Sequence, residues 1–426
     1  MKRLFVKSTG AASLRRLQRT CRWLGLLAAI VAMPAAAYTQ EIRAVFRPDA
    51  ANPNNNKFIN TTPVSGYCAD YPAECQANGM FSIRLPINFH SRYSIRPGHS
   101  QRDGAMFTVP AGWIPITATN AETGETETVE LRFSGVGTQY VLSDTAQNLT
   151  GAPSAIEGHR QLWGGLSWVY APPPCQYSGV GAYSDTTYRF FWKTPVYGVC
   201  SKAASFLIPS FYYRTLDFAY ELRTPNPLGM STGLYTTNTY FGIGPAGAFD
   251  MGDAMIPDDS TLIINFVLDV QHTLKVDLPP GGNQIALQPE GGWQRWLNSG
   301  RAPERLFRDQ TFLISASSRF KMYLECGIGT VETCILFNDG TNYGTPFNVS
   351  VSLPNGLTDT NGRPVKQQKL LPKVSGAVIF QPGIYVDRKP GILHFEIDKA
   401  NTERIVKADR GNRYSGTVVV IWDSEI

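Results

Sequence analysis

The chain has 426 residues, of which 17% are charged, with 39 glycines, 29 prolines and a formal net charge of +5. Seven of its 39 basic residues and none of its 34 acidic ones fall in the first 37 positions, so the remainder carries 32 basic against 34 acidic groups, a balance of −2. Such a chain lacks the positive surface that nucleic-acid binding requires.

The first segment reads as a secretory signal. Lys2, Arg3, Lys7, Arg15, Arg16, Arg19 and Arg22 make a cationic leader, Trp23 to Met33 an apolar stretch, and Ala35-Ala36-Ala37 a site of small residues. Residues 1–37 are expected to be removed. The apolar run is too short to cross a bilayer core of roughly 30 Å as a helix, and no later segment is longer without charge or Pro. Removing 37 residues from 426 leaves 389, more than one hydrophobic core usually holds, so two domains are expected. With Cys21 gone, six cysteines remain, clustered as Cys68/Cys75, Cys175/Cys200 and Cys326/Cys334. Six cysteines allow fifteen pairings; an exported chain permits disulfides, and the clustering favours these three local bridges. Six or more residues separate the cysteines of each cluster, which does not suit zinc, and no metal or other cofactor is expected.

Along the chain the recurring pattern is alternation of apolar and polar residues, the mark of a half-buried strand. It appears in Phe81 to Leu85, in Thr128 to Phe133 after a turn at Asn120 to Gly124, and in Phe320 to Leu324. From Trp163 to Tyr220 the chain is dense in aromatics, suited either to a sugar-stacking surface or to a core. Phe190-Phe191-Trp192 must point to opposite faces of a strand, so part of this set is packing. Met251 to Asp259 lacks alternation and is rich in turn formers, and Leu262 to Leu278 follows as a β-compatible run. The boundary is therefore placed at 258/259. One helical turn is expected, around Trp293 to Trp296. The fold class is all-β: two tandem β-sandwich domains, at 38–258 and 259–426.

The signatures of enzymes are absent: no Gly-x-Ser-x-Gly, no His-Glu-x-x-His, no Walker loop. Gly242-Ile-Gly244-Pro-Ala-Gly247 fits Gly-x-Gly-x-x-Gly, but Pro245 and the residues after it cannot open the helix that pyrophosphate binding needs. Glu125 and Glu127 share the polar face of one strand and read as a solvated surface. The five histidines stand singly. No catalytic residue is expected, and a secreted β-sandwich hydrolase acting on glycans is the alternative class.

Four stretches carry a resemblance to a known family: His272 to Gly281, Gln288 to Trp296, Phe312 to Cys326, and Arg413-Tyr-Ser-Gly-Thr-Val-Val-Val-Ile-Trp422. Tyr220 to Leu228 and Tyr240 to Gly252 agree less specifically. These resemble the class 5 (alternate chaperone–usher) pilus tip adhesins, the CfaE/CblD-like initiator subunits. The resemblance implies an N-terminal adhesin domain and a C-terminal immunoglobulin-like pilin domain lacking its last strand. It also implies the partners: a periplasmic chaperone, an outer-membrane usher, the N-terminal donor strand of a major pilin and a host-cell surface glycoconjugate. The place of action would be the pilus tip at the cell surface.

In such a domain a donor strand lies in an apolar groove along an open edge. Thr417 to Trp422 suits a wall of that groove, with Val418, Val419, Val420, Ile421 and Trp422 apolar on both faces, as a strand buried on both sides must be. A whole domain precedes the pilin-like one, so the subunit is expected to accept a strand and donate none. For the receptor, Arg189, Lys193, Arg214 and Arg223 are candidates because a guanidinium or ammonium among aromatics can bind an acidic sugar, and Trp192 because it can stack on one.

Overall fold

The computed structural model describes residues 37–424 except 342 and 409–411. The segment expected to act as a secretory signal lies, up to residue 36 and with Cys21, outside the described residues.

Two β-rich cores follow one another. The larger sheet is assembled from β1 (Tyr38–Phe46), β2 (Ser82–Leu85), β3 (Phe89–Ser91), β4 (Ile114–Asn120), β5 (Thr126–Leu142), β6 (Thr187–Lys193), β7 (Phe211–Arg223), β8 (Gly233–Gly242) and β9 (Thr261–Val270). Their order is β3-β7-β5-β4-β8-β9-β1, with β6 beside the far half of β5 and β2 beside β7. All these pairings are antiparallel except β1 with β9, which run parallel over nine residues.

β9 corrects the expected boundary. The expected boundary puts Thr261–Val270 at the opening of the second domain, yet it is an inner strand of the first sheet, held by β8 on one side and β1 on the other. Its apolar alternation is the same in either location; pairing over its full length decides between them. The change of sheet comes at Gln271 to Thr273.

Period-two alternation sets the core. On β6, Tyr188, Phe190 and Trp192 point into it and meet Phe107, Trp168 and Tyr140. Phe191 points the other way and stacks on Tyr67 at 4.7 Å, under the short helices Tyr67–Asp70 and Pro72–Asn78. Gly135 and Gly137 of β5 make room for it: a Cβ on Gly135 would lie 2.4 Å from the Phe191 ring. Lys202 is also drawn into this core, 7% exposed, donating to the Ser167 carbonyl at 3.0 Å beside the Trp168 ring. Burial brings its pKa down to about 8.

The C-terminal part is a sandwich. One sheet runs β10 (Leu274–Asp277), β11 (Leu306–Ala316), β17 (Val386–Ile397), β14 (Gly344–Ser352), β13 (Cys334–Asn338), with β15 (Gln368–Leu370) beside β14. The other contains β16 (Val378–Pro382), β12 (Phe320–Cys326) and β18 (Val418–Ser424), in that order. Phe312, Phe320, Met322, Leu324, Phe380 and Leu393 fill the space between.

The helix at Gly292–Ser299 falls where a helical turn was expected. Further short helices, including Ala155–Leu162 and Lys399–Ala408, were not foreseen. Gly242 to Gly247 forms a tight turn, Gly247 N–H donating to the Gly244 carbonyl, and opens no helix. Glu125 is not a solvated charge: its carboxylate accepts from Ser231 N–H at 2.9 Å and from the Tyr235 hydroxyl at 2.6 Å. Disulfides join Cys68 to Cys75, Cys175 to Cys200 and Cys326 to Cys334.

Candidate functional site

Each sheet of the C-terminal sandwich stops on the same side at a strand with one open edge. Among the described residues β10 pairs only with β11, and β18 only with β12, through the register Cys326 to Phe320 against Val418 to Ser424. Between these two edges lies a cleft of about 450 Å³ lined by Leu274, Val276, Val420, Ile421, Trp422, Asp423 and Ser424. Leu274 and Val276 sit on one lip; Val418, Val420 and Trp422 turn their side chains toward the core between the sheets. The Trp422 ring meets Phe312 at 5.5 Å, and its indole N–H finds no acceptor among the described residues. Lys321 ties Asp423 at 3.1 Å, fixing the far end of β18.

The expectation that β18 is buried on both faces needs correcting. Val419 is 46% exposed, and no residue of Val418–Ser424 is fully buried. The strand is an edge, so one face packs on the core while the other, with Val419 and Ile421, looks outward. An apolar edge strand in this state has unpaired main-chain groups and half-covered side chains, which a protein ordinarily blunts.

The five receptor candidates do not converge. Trp192 is fully buried and donates its indole N–H to the Trp168 carbonyl at 3.0 Å, so it is a core residue and not a sugar platform. Arg189 is consumed by ion pairs with Asp70 and Asp217. Asp217, 2% exposed, also receives Arg84 through two hydrogen bonds of 2.8 and 2.9 Å, and these hold the Arg84 guanidinium above its ordinary pKa. Lys193 donates to Asn78 Oδ1 at 2.9 Å. Arg223 lies 3.9 Å over the Trp113 ring at a distant part of β7, 3.6 Å from Glu130.

Arg214 differs from these. It is exposed, has no ion pair among the described residues, and pairs in register with Gln139, which in turn pairs with Arg189. Two residues along the same strand face, Tyr212 is 46% exposed between His90 and Val141. A bulge follows at Thr215, a β-branched residue at φ 64°, whose carbonyl and that of Arg214 both accept from the Thr138 hydroxyl. Local strain of that kind persists only where the surroundings enforce it. Tyr212 belongs to the aromatic-dense stretch, but sequence alone gave no means of separating it from its buried neighbour Tyr213.

No family model matches the chain, and no curated protein matches it. Among solved structures the chain is similar to CfaE, the adhesive subunit of CFA/I fimbria of enterotoxigenic Escherichia coli, at 10% identity over 91% of this chain and 95% of that one, TM-score 0.25. It is also similar to the CsuC–CsuE chaperone–tip adhesion subunit complex of Acinetobacter baumannii, at 9% identity over 91% of this chain and 98% of that one, TM-score 0.22.

Proposed function

We propose that this protein is a pilus tip adhesin in which the C-terminal sandwich accepts an extended strand from another chain and the larger N-terminal part binds a host-cell glycan. The observation that carries the reading is the cleft between the unpaired edges of β10 and β18. A strand laid there hydrogen-bonds along an open edge and seats alternate apolar side chains between Leu274, Val276, Val420 and Trp422. Each side chain so buried contributes roughly 1.5–3 kcal/mol. The occupant is first a periplasmic chaperone strand and then, at the outer-membrane usher, the N-terminal strand of a major pilin, which carries the subunit to the cell surface. β1 suits an accepting subunit, because it is already committed to β9 along its length. On the larger sheet, Arg214 with Tyr212 and Gln139 is the part of the candidate set open to a ligand, and an acidic sugar is the chemistry it fits.

The test is to prepare residues 38–426 with and without a peptide copying the N-terminal strand of a major pilin. Binding, with a raised thermal midpoint that Val420→Asp abolishes, is the expected outcome. A peptide that neither binds nor changes the midpoint refutes strand acceptance.

A further inference from the structure

Three polar side chains on the outer face of the C-terminal sandwich form a relay distinct from the cleft. Asp309 of β11 and His394 of β17 are directly opposite in register, and their Oδ1 and Nδ1 are 2.8 Å apart. Ser350 of β14 is opposite His394 on the other side, and Ser352, two residues along the same face, places its Oγ 2.8 Å from His394 Nε2. A carboxylate only accepts, so Nδ1 carries the proton given to Asp309; the bare Nε2 of the neutral ring must then accept from the Ser352 hydroxyl. Gln367 N–H donates to Ser352 Oγ at 2.9 Å, from a residue held at φ 48° in the left-handed region. A hydroxyl donating to an imidazole that a carboxylate orients is the arrangement of an activated nucleophile.

We propose that Ser352, His394 and Asp309 constitute a hydrolytic site for small carboxylic esters exposed to solvent. The sheet face is open, with the Asp309 side chain 53% exposed, so a small acyl group suits it better than a long one. Ser352 Oγ attacks the carbonyl carbon and gives its proton to His394 Nε2. The C–O bond to the alcohol breaks, and the alkoxide takes that proton. Water then gives one proton to the same Nε2 and attacks the acyl carbon, the bond from that carbon to Ser352 Oγ breaks, Oγ takes the proton back from Nε2, and the acid leaves, losing its own proton to solvent. Lys369, exposed on the same face and in register with Ser350, supplies a positive charge for the developing oxyanion. Asp309 acts as a positioning residue.

The experiment uses the full exported chain, a fluorophosphonate probe with peptide mapping, and 4-nitrophenyl acetate as substrate. Labelling confined to Ser352 is expected. Ser352→Ala should abolish it, and His394→Gln should lower turnover about 100-fold or more. Asp309→Asn should lower kcat about tenfold or more with KM unchanged, a split that a purely structural role would not give. Should Ser352→Ala fail to fold, Ser352→Cys keeps a side chain toward Gln367 N–H and is expected to give a stoichiometric acyl burst without turnover. Absence of labelling at Ser352, or ester turnover unchanged in a folded serine variant, overturns the proposal and leaves the relay as a fastening for residues 353–367.

Discussion

Replacing Lys202 by Met should stabilise the protein at neutral pH and erase a specific pH dependence. Lys202 is 7% exposed, its ammonium donates to the Ser167 carbonyl, and among the described residues no carboxylate compensates it. The unfolded chain keeps this proton to about pH 10.5 and the folded chain only to about pH 8. The folded value is the lower, so unfolding takes up a proton within that window, and the unfolding free energy rises with pH by at most about 1.4 kcal/mol per pH unit. At pH 7 the buried charge costs about 3 kcal/mol; allowing about 1 kcal/mol for the lost hydrogen bond, Lys202→Met gains about 2 kcal/mol. Between pH 8 and 9.5 the native protein should gain about 1.5 kcal/mol from this group while the variant gains none. Higher pH is uninformative, because Tyr140 and Tyr213, whose burial holds their pKa well above the ordinary value, pull stability down once unfolded tyrosines ionise. Urea unfolding followed by tryptophan fluorescence at the two pH values measures the difference. Equal pH slopes in the native protein and the variant would refute this reasoning.

Acid should destabilise through histidine. Burial lowers the pKa of His159 and His272, so below about pH 6.5 the unfolded chain takes up protons that the folded chain refuses, costing up to about 1.4 kcal/mol per pH unit for each; thermal midpoints at pH 7.5 and 5.5 measure this, and His159→Gln should flatten it. Gly135→Ala drives a methyl to within 2.4 Å of the Phe191 ring and should cost about 1–3 kcal/mol in urea unfolding. Asp217→Ala leaves Arg84 and the mostly buried Arg189 with only the more exposed Asp70 between them and should cost about 3 kcal/mol. Arg214→Ala, by contrast, should leave stability within about 0.5 kcal/mol while weakening attachment to host cells in an adhesion assay.

Strand alternation was the readable signal, and it served wherever one face of a strand is buried and the other solvated: Thr128 to Phe133 and Phe320 to Leu324 both lie within strands. It could not say which sheet a strand joins, and so β9 was assigned to the wrong side of the boundary. Aromatic density misled at Trp192 because three consecutive aromatics are all buried when short helices cover the outer face of β6. The helix at Lys399–Ala408 did announce itself, since Asp398 accepts from the Asn401 N–H as a cap would, but its weak apolar period hid it. Asp309, Ser352 and His394 stand on three strands, and only the register brings them together.

The embedding of β9 has a mechanical consequence. Only Gln271 to Thr273 separate the end of β9 from the start of β10. Tension applied through the C-terminal part therefore acts along the axis of a strand flanked by neighbours over its whole length, by β1 on one side and β8 on the other. Pulled in that direction, the hydrogen bonds of both ladders are loaded together in shear instead of opening one after another from an end. The joint between the two parts should therefore resist peeling when it is pulled.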